Sequence, residues 1–166
     1  MLLSTAAKVA GLLWPEFREI DGAIVLASVT ARPVSAWNGT VTEYERFYGH
    51  THVQDLFTWR VPMVRDAEWD TEVPDAASPE FAAAWELARK VGAMWLAKLA
   101  ADFPAYRFRV YLTKLSDPVI HFHRVRDGER PWLTDDEARD QVAGGTLVVF
   151  DTGPRVADAG VVQRTH

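Results

Sequence analysis

Two neighbouring segments, 107–115 and 119–126, carry chemically versatile side chains at every second position. These side chains are Arg107, Arg109, Tyr111, Thr113, His121 and His123. Side chains two apart on a strand share a face, so a hairpin of the two segments would collect them on one side. Arginine forks bind carboxylates and phosphates, and histidine exchanges protons near neutral pH. The pattern therefore predicts a site for a small anionic molecule.

The roles of these residues follow from their chemistry. We expect His121 and His123 to exchange protons and Tyr111 to donate a hydrogen bond, which makes these three the candidate catalytic residues. The predicted substrate-binding residues are Arg107, Arg109, Thr113, Tyr48, His50 and His52. The expected function is that of a small-molecule enzyme or binder whose pocket lies between the 107–126 hairpin and the 43–57 segment.

His50 and His52 form a second His-x-His pair, within the 43–57 segment. Together with His121 and His123 they could supply three or four ligands to zinc, iron, copper or nickel. No spacing rule links the two pairs, so we favour hydrogen-bonded or solvent-facing histidines and predict no metal. The aromatic residues between positions 37 and 59 are expected to cover the polar face of the hairpin.

The register of the hairpin can be predicted from its apolar side chains. Placing Leu115 opposite Val119, across a turn at 116–118, pairs Thr113 with His121 and Tyr111 with His123. A register shifted by one residue would mix apolar and polar side chains on both faces. The apolar face must be covered, and a long helix is the natural candidate.

That helix is predicted over residues 79–102. Ser78 can cap it, Pro79 suits its first turn, and Pro104 follows its end. Its broad apolar face carries Phe81, Trp85, Ala88, Gly92, Trp95, Leu99 and Phe103. The fold class is therefore α+β, with one long helix covering a mostly antiparallel sheet.

Five other elements complete the expected order. Helices are predicted at 4–14, from a Thr42-x-x-Glu45 capping box to Gly49, and at 135–142 after Thr134. A hairpin through Asn38-Gly39 competes with the second of these helices. Strands are predicted at 20–28, as a central strand buried on both faces, and at 146–150.

Composition restricts the class of protein. The chain has 166 residues, no cysteine and a net charge of −5. These values suit one domain, exclude thiol chemistry, and disfavour nucleic acid as a partner. With neither a signal peptide nor a membrane-spanning segment apparent, we expect no membrane partner and a cytoplasmic location. Searches for dinucleotide, P-loop, serine-hydrolase and zincin motifs find none, so no cofactor is assigned.

The remaining expectations concern the chain's organisation and a second functional hypothesis. Residues 1–153 are expected to form the domain, with an acidic surface loop at 65–78 and a loosely ordered tail at 154–166. Trp69 lies among acidic residues in that loop, where it could anchor a basic partner. The alternative function is thus a non-catalytic partner-binding protein of an immunity or regulatory type. An uncovered sheet edge could also pair two chains as a homodimer.

Overall fold

The structure, a computed structural model, describes residues 2–53, 61–66, 70–114 and 117–152. The helices are α1 (Leu2–Leu13), α2 (Val41–Tyr48), α3 (Pro79–Asp102) and α4 (Asp135–Ala143). The strands are β1 (Phe17–Ile20), β2 (Ala23–Leu26), β3 (Thr51–His52), β4 (Met63–Asp66), β5 (Thr71–Pro74), β6 (Arg107–Thr113), β7 (Val119–Val125) and β8 (Leu147–Asp151). No helix in these ranges has the length and apolar character needed to cross a bilayer.

An antiparallel sheet with the strand order β3-β7-β6-β8 forms the centre of the fold. Its apolar face is covered by α3, which confirms the α+β prediction. The main core cluster comprises Leu12, Ile24, Leu26, Val53, Ala88, Val91, Trp95, Leu99, Phe108, Val110, Leu112, Ile120 and Phe122. One face of the sheet thus packs against α3, and the polar side chains lie on the other face.

Helix α3 begins and ends where its sequence predicts. The Ser78 hydroxyl accepts a hydrogen bond from the Phe81 amide (3.1 Å), and Pro79 occupies the first turn. Within the core, the Trp95 indole donates to the Leu12 carbonyl (2.7 Å) and packs edge-on against Phe122. This hydrogen bond satisfies the indole N–H and ties α1 to the long helix.

The predicted central strand at 20–28 is wrong. The chain reverses at Asp21 and Gly22, whose φ angles are 49° and 81°, so that β1 and β2 pair as a separate hairpin. An Asp-Gly pair readily adopts the two positive φ angles of a tight hairpin turn. Strand β2 is fully buried all the same, because α2 and the core cover it.

Helix α2 forms in preference to the Asn38-Gly39 hairpin, but its capping box lies two residues before the predicted one. Thr40 accepts from the Glu43 amide (3.2 Å), and the Glu43 carboxylate accepts from the Thr40 amide (2.8 Å). Thr42 and Glu45, which were predicted to form the capping box, instead lie within the helix, and both residues are buried. Glu45 is thereby available for contacts with other elements.

Residues 65–78, which were predicted to form a surface loop, include strand residues. Strands β4 and β5 pair as an exposed hairpin, in which the Arg65 Nε atom donates to Asp70 (2.7 Å). Trp69 lies outside the described residues, as does the tail from residue 153 onward. The first helix also differs from its prediction, since α1 runs over Leu2–Leu13 rather than 4–14.

The Gly49→Ala variant should lose about 1–3 kcal/mol of unfolding free energy. A Cβ atom at Gly49 would lie 2.5 Å from the Glu45 carbonyl oxygen and 2.6 Å from a ring carbon of Phe122. Neither the helix backbone nor a core ring can move away cheaply. Urea unfolding measures the effect, with Gly11→Ala on α1 as the control, because a Cβ there meets nothing within 4 Å. A Gly49→Ala variant as stable as wild type would contradict this close packing of α2 on β7.

Candidate functional site

The β6–β7 hairpin has a register two residues away from the predicted one. Thr113 pairs with Val119, Tyr111 with His121, and Arg109 with His123. The strands separate early because the Lys114 amide donates to Thr146 (2.9 Å), while the Pro118 carbonyl accepts from Val53 (3.1 Å). An even shift leaves every side chain on its predicted face, so the polar face is as expected while its cross-strand neighbours are not.

The polar face of the hairpin is covered by residues 129–134, which we call the Trp132 strap. The Trp132 ring lies edge-on to His121, with ring centroids 4.2 Å apart, and contacts Tyr111 at 5.0 Å. Tyr111 is fully buried, and His121 and His123 are only 6% and 1% exposed. Among the described residues, this strap supplies much of the cover that the sequence led us to expect from positions 37–59, of which 54–59 lie outside the described residues. Helix α2 and the residues after it contribute at one end.

Two separate cavities adjoin the strap. The His123 cavity, of about 350 Å³, includes Arg109, His123, Arg124, Arg126, Glu129 and Asp135 in its wall. The His121 cavity, of about 280 Å³, is lined by Arg46, Phe47, His50, Thr113, Val119, His121 and Trp132. Neither of these two cavities has both His121 and His123 among its described lining residues. Tyr111 is not among the described residues that line either cavity.

Two of the arginines that line the His123 cavity, Arg109 and Arg126, are engaged by carboxylates. Arg109 bonds Asp151 and Asp135, each at 2.8 Å. Burial acts to lower the pKa of Arg109, but these two hydrogen bonds outweigh it and raise that pKa. Arg107, which is more exposed, lies 3.9 Å from Asp151. Arg109, one of the two arginines predicted to hold an anion, is thus neutralised within the protein.

His123 and Tyr111 form a closed pair. The His123 Nδ1 atom donates to the Arg124 carbonyl (2.9 Å), so its Nε2 atom accepts from the Tyr111 hydroxyl (3.0 Å). Burial lowers the pKa of His123 and raises that of Tyr111 to about 12, which keeps both groups uncharged at neutral pH. Both ring nitrogens of His123 are occupied, so this histidine is poorly placed to exchange protons with a ligand.

Two residues that line the His121 cavity each have a buried nitrogen atom without a hydrogen-bond partner in the described structure. These atoms are the Nε atom of Arg46 and the Nε2 atom of His121. The Arg46 guanidinium carbon lies 5.0 Å from the centre of the Trp132 ring. Arg46 also forms no ion pair with any described residue. Burial, and after it the positive charge of Arg46, lowers the pKa of His121 to about 3. The cavity wall therefore includes one cation that forms no ion pair with a described residue, beside a neutral imidazole.

The other predicted binding residues are divided between this cavity and its surroundings. His50 lines the cavity and donates from Nδ1 to the Phe47 carbonyl (2.5 Å), while Thr113 lies in the cavity wall. His52 instead pairs with Asp117 (2.8 Å). Tyr48 packs against Tyr44, with ring centroids 4.7 Å apart. Among the residues that the structure describes, no group of three or more His, Cys, Asp or Glu side chains could hold a metal.

The two residues that distinguish this cavity, Arg46 and Trp132, were not predicted. A signal for Arg46 does exist in the sequence, because Arg46 and His50 are four residues apart at the end of a predicted helix. Such residues lie on the same helix face. No local pattern indicates Trp132, since its position over His121 depends on the return of the chain after β7.

The alternative hypotheses concern other surfaces. The Trp69 anchor of a partner-binding protein lies outside the described residues, so that hypothesis stays a prediction. The same holds for a homodimer, although β3 and β8 are the outer strands in the described order of the central sheet.

Comparisons of the chain with protein-family models, with curated proteins and with solved structures found no match. A fold class alone hosts many unrelated activities. Function must therefore be inferred from the chemistry of the His121 cavity itself.

Proposed function

We propose that this protein binds a small anionic molecule in the His121 cavity. The cavity lies between the β6–β7 hairpin and residues 46–50, in the region where the sequence predicts a ligand site. The observation that carries the proposal is Arg46, whose guanidinium has no ion-pair partner in the described chain and whose buried Nε atom donates to nothing there. Arginine is charged at every physiological pH, so an anion from outside the chain could serve as its counter-ion.

The energetics of burial support the same conclusion. A buried donor left without an acceptor costs about 1–3 kcal/mol, more when it is charged. An anion bound beside Arg46 and His121 would satisfy both orphaned nitrogens with charge-assisted hydrogen bonds. The side chains named above as lining the cavity include no carboxylate that could repel it. These contacts would favour an anionic ligand over a neutral one.

The proposed function is the binding of an anion, and it does not include proton exchange between His121 and the ligand. A base with a pKa of about 3, as in His121, has little tendency to take a proton near neutral pH. An anion next to the ring would stabilise the imidazolium and raise this pKa. Anion binding should therefore be accompanied by increased proton affinity at His121, so that affinity rises as the pH falls toward 5.

The Arg46→Gln variant should lose at least tenfold in affinity for anions. A hydrogen bond to a charged group contributes about 1.5–3 kcal/mol, and 1.4 kcal/mol corresponds to a factor of ten. Titration of acetate, benzoate, phenyl phosphate and inorganic phosphate, followed by the NMR signals of the protein, measures the effect. The control is Arg139→Gln, which removes a well-exposed arginine on α4. The proposal fails if none of these anions binds wild type, or if Arg46→Gln binds them equally well.

A further inference from the structure

We infer that the ligand of the His121 cavity is a small monocarboxylate with a flat apolar body. This inference rests on the proposed anion site and specifies its occupant. It follows from the charge, the hydrogen-bonding atoms and the walls of the cavity, which each restrict the ligand independently.

The charge of the cavity matches a single negative charge. Arg46 is the one permanently charged group among its described lining residues, and His121 is neutral. Phe47 and His50 also flank the carboxyl end of α2, where the helix dipole places a partial negative charge. A phosphate dianion would bring a second charge that this end of the helix disfavours. A monoanion is balanced by Arg46 alone.

The two orphaned nitrogens suit a carboxylate group. The Arg46 Nε atom can only donate, and the His121 Nε2 atom donates when its ring carries the proton there. A carboxylate has two coplanar oxygens, one for each donor, and pairs naturally with a planar guanidinium. The tetrahedral oxygens of a phosphate would leave acceptors facing the apolar part of the cavity. Their desolvation would then be uncompensated.

The walls of the cavity can pack against an apolar body attached to the carboxylate. Trp132, Phe47 and Val119 contribute apolar surface to the cavity, and Phe47 is 53% exposed. A flat ligand could cover this exposed ring while its carboxylate reaches Arg46. A volume of about 280 Å³ is near the lower end of the range of small-molecule sites, so the ligand is smaller than a typical drug.

A matched set of probes tests the inference. Benzoate, benzamide and phenyl phosphate share a ring and differ in the polar group, and acetate is the carboxylate without the ring. At pH 7, NMR titration should find benzoate at least tenfold tighter than each of the other three. Phe47→Ala should weaken benzoate severalfold while leaving acetate unchanged. Because Phe47 is largely exposed, this variant should fold normally.

The possible outcomes separate the inference from the proposed function. If phenyl phosphate binds as tightly as benzoate and its binding depends on Arg46, the carboxylate assignment is overturned while the anion site stands. If acetate binds as tightly as benzoate, the inference that the ligand has an apolar body is overturned. Benzamide binding as tightly as benzoate would overturn both proposals, as would the failure of all three anions to bind.

Discussion

Replacing Glu45 by glutamine should lower the free energy of unfolding by about 3–5 kcal/mol, the largest effect expected of any polar substitution in this protein. The Glu45 side chain is fully buried. It accepts four hydrogen bonds, from the Ile24 amide (2.8 Å), the Arg124 amide (2.7 Å) and both terminal nitrogens of Arg126 (2.8 and 2.7 Å). One carboxylate thus joins α2, β2 and the end of β7.

The loss follows from what glutamine cannot do. Its amide group supplies one acceptor oxygen where the carboxylate has two, and it leaves the charge of Arg126 less compensated. Urea unfolding at pH 7 measures the change. The control is Glu86→Gln, at an exposed position on α3, which should change stability by less than about 0.5 kcal/mol. A Glu45→Gln loss below about 1 kcal/mol would show that these contacts are not a major support of the fold.

Acidification should destabilise the protein through His121. Its pKa is about 3 in the folded state and 6.5 in the reference state, so the unfolded chain binds more protons between these values. The stability from the neutral buried ring is therefore complete above about pH 6.5 and is lost as the pH falls toward 3. At pH 5 the expected loss is about 2 kcal/mol, from a maximum slope of about 1.4 kcal/mol per pH unit. His123, whose pKa burial also lowers, acts in the same direction.

The His121→Gln variant isolates this contribution. Its stability should fall less steeply than that of wild type between pH 7.5 and pH 5, whatever its absolute stability. Chemical unfolding at several pH values gives the slopes, and equal slopes for wild type and His121→Gln would rule out a buried neutral His121.

Much of the fold could be predicted because its signals are local. Ser78 and Thr134 each cap a helix that begins at the next residue, and the apolar stripe of α3 matches its buried face. Alternation along β6 and β7 correctly divided their side chains between the two faces of the sheet. Where two local signals overlapped, prediction was less accurate. The turn at Asp21-Gly22 lay hidden in an apolar run, and Thr40 rather than Thr42 caps α2.

The structure has a cavity beside the predicted hairpin, but only some of the predicted site residues line it. A cavity does adjoin the hairpin and the residues after α2, and His121, His50 and Thr113 line it. Arg107 and Arg109 were chosen for their charge, yet Asp151 and Asp135 neutralise Arg109, and these acids are more than twenty residues away in the chain. Arg46 lines the cavity and has no such carboxylate partner in the described chain.

The sequence by itself determined which residues share a face, where the main helices begin, and that cysteine chemistry is excluded. The first two depend on neighbours within a few positions, through backbone geometry and capping. The third follows from composition alone. Only the tertiary structure decided which polar groups are paired and which are left over. Trp132 lies against His121, and Glu45 pairs with Arg126, which is 81 residues away in the chain. Such outcomes depend on distances between segments far apart in the chain, and burial then determines the energy of every unpaired group that remains.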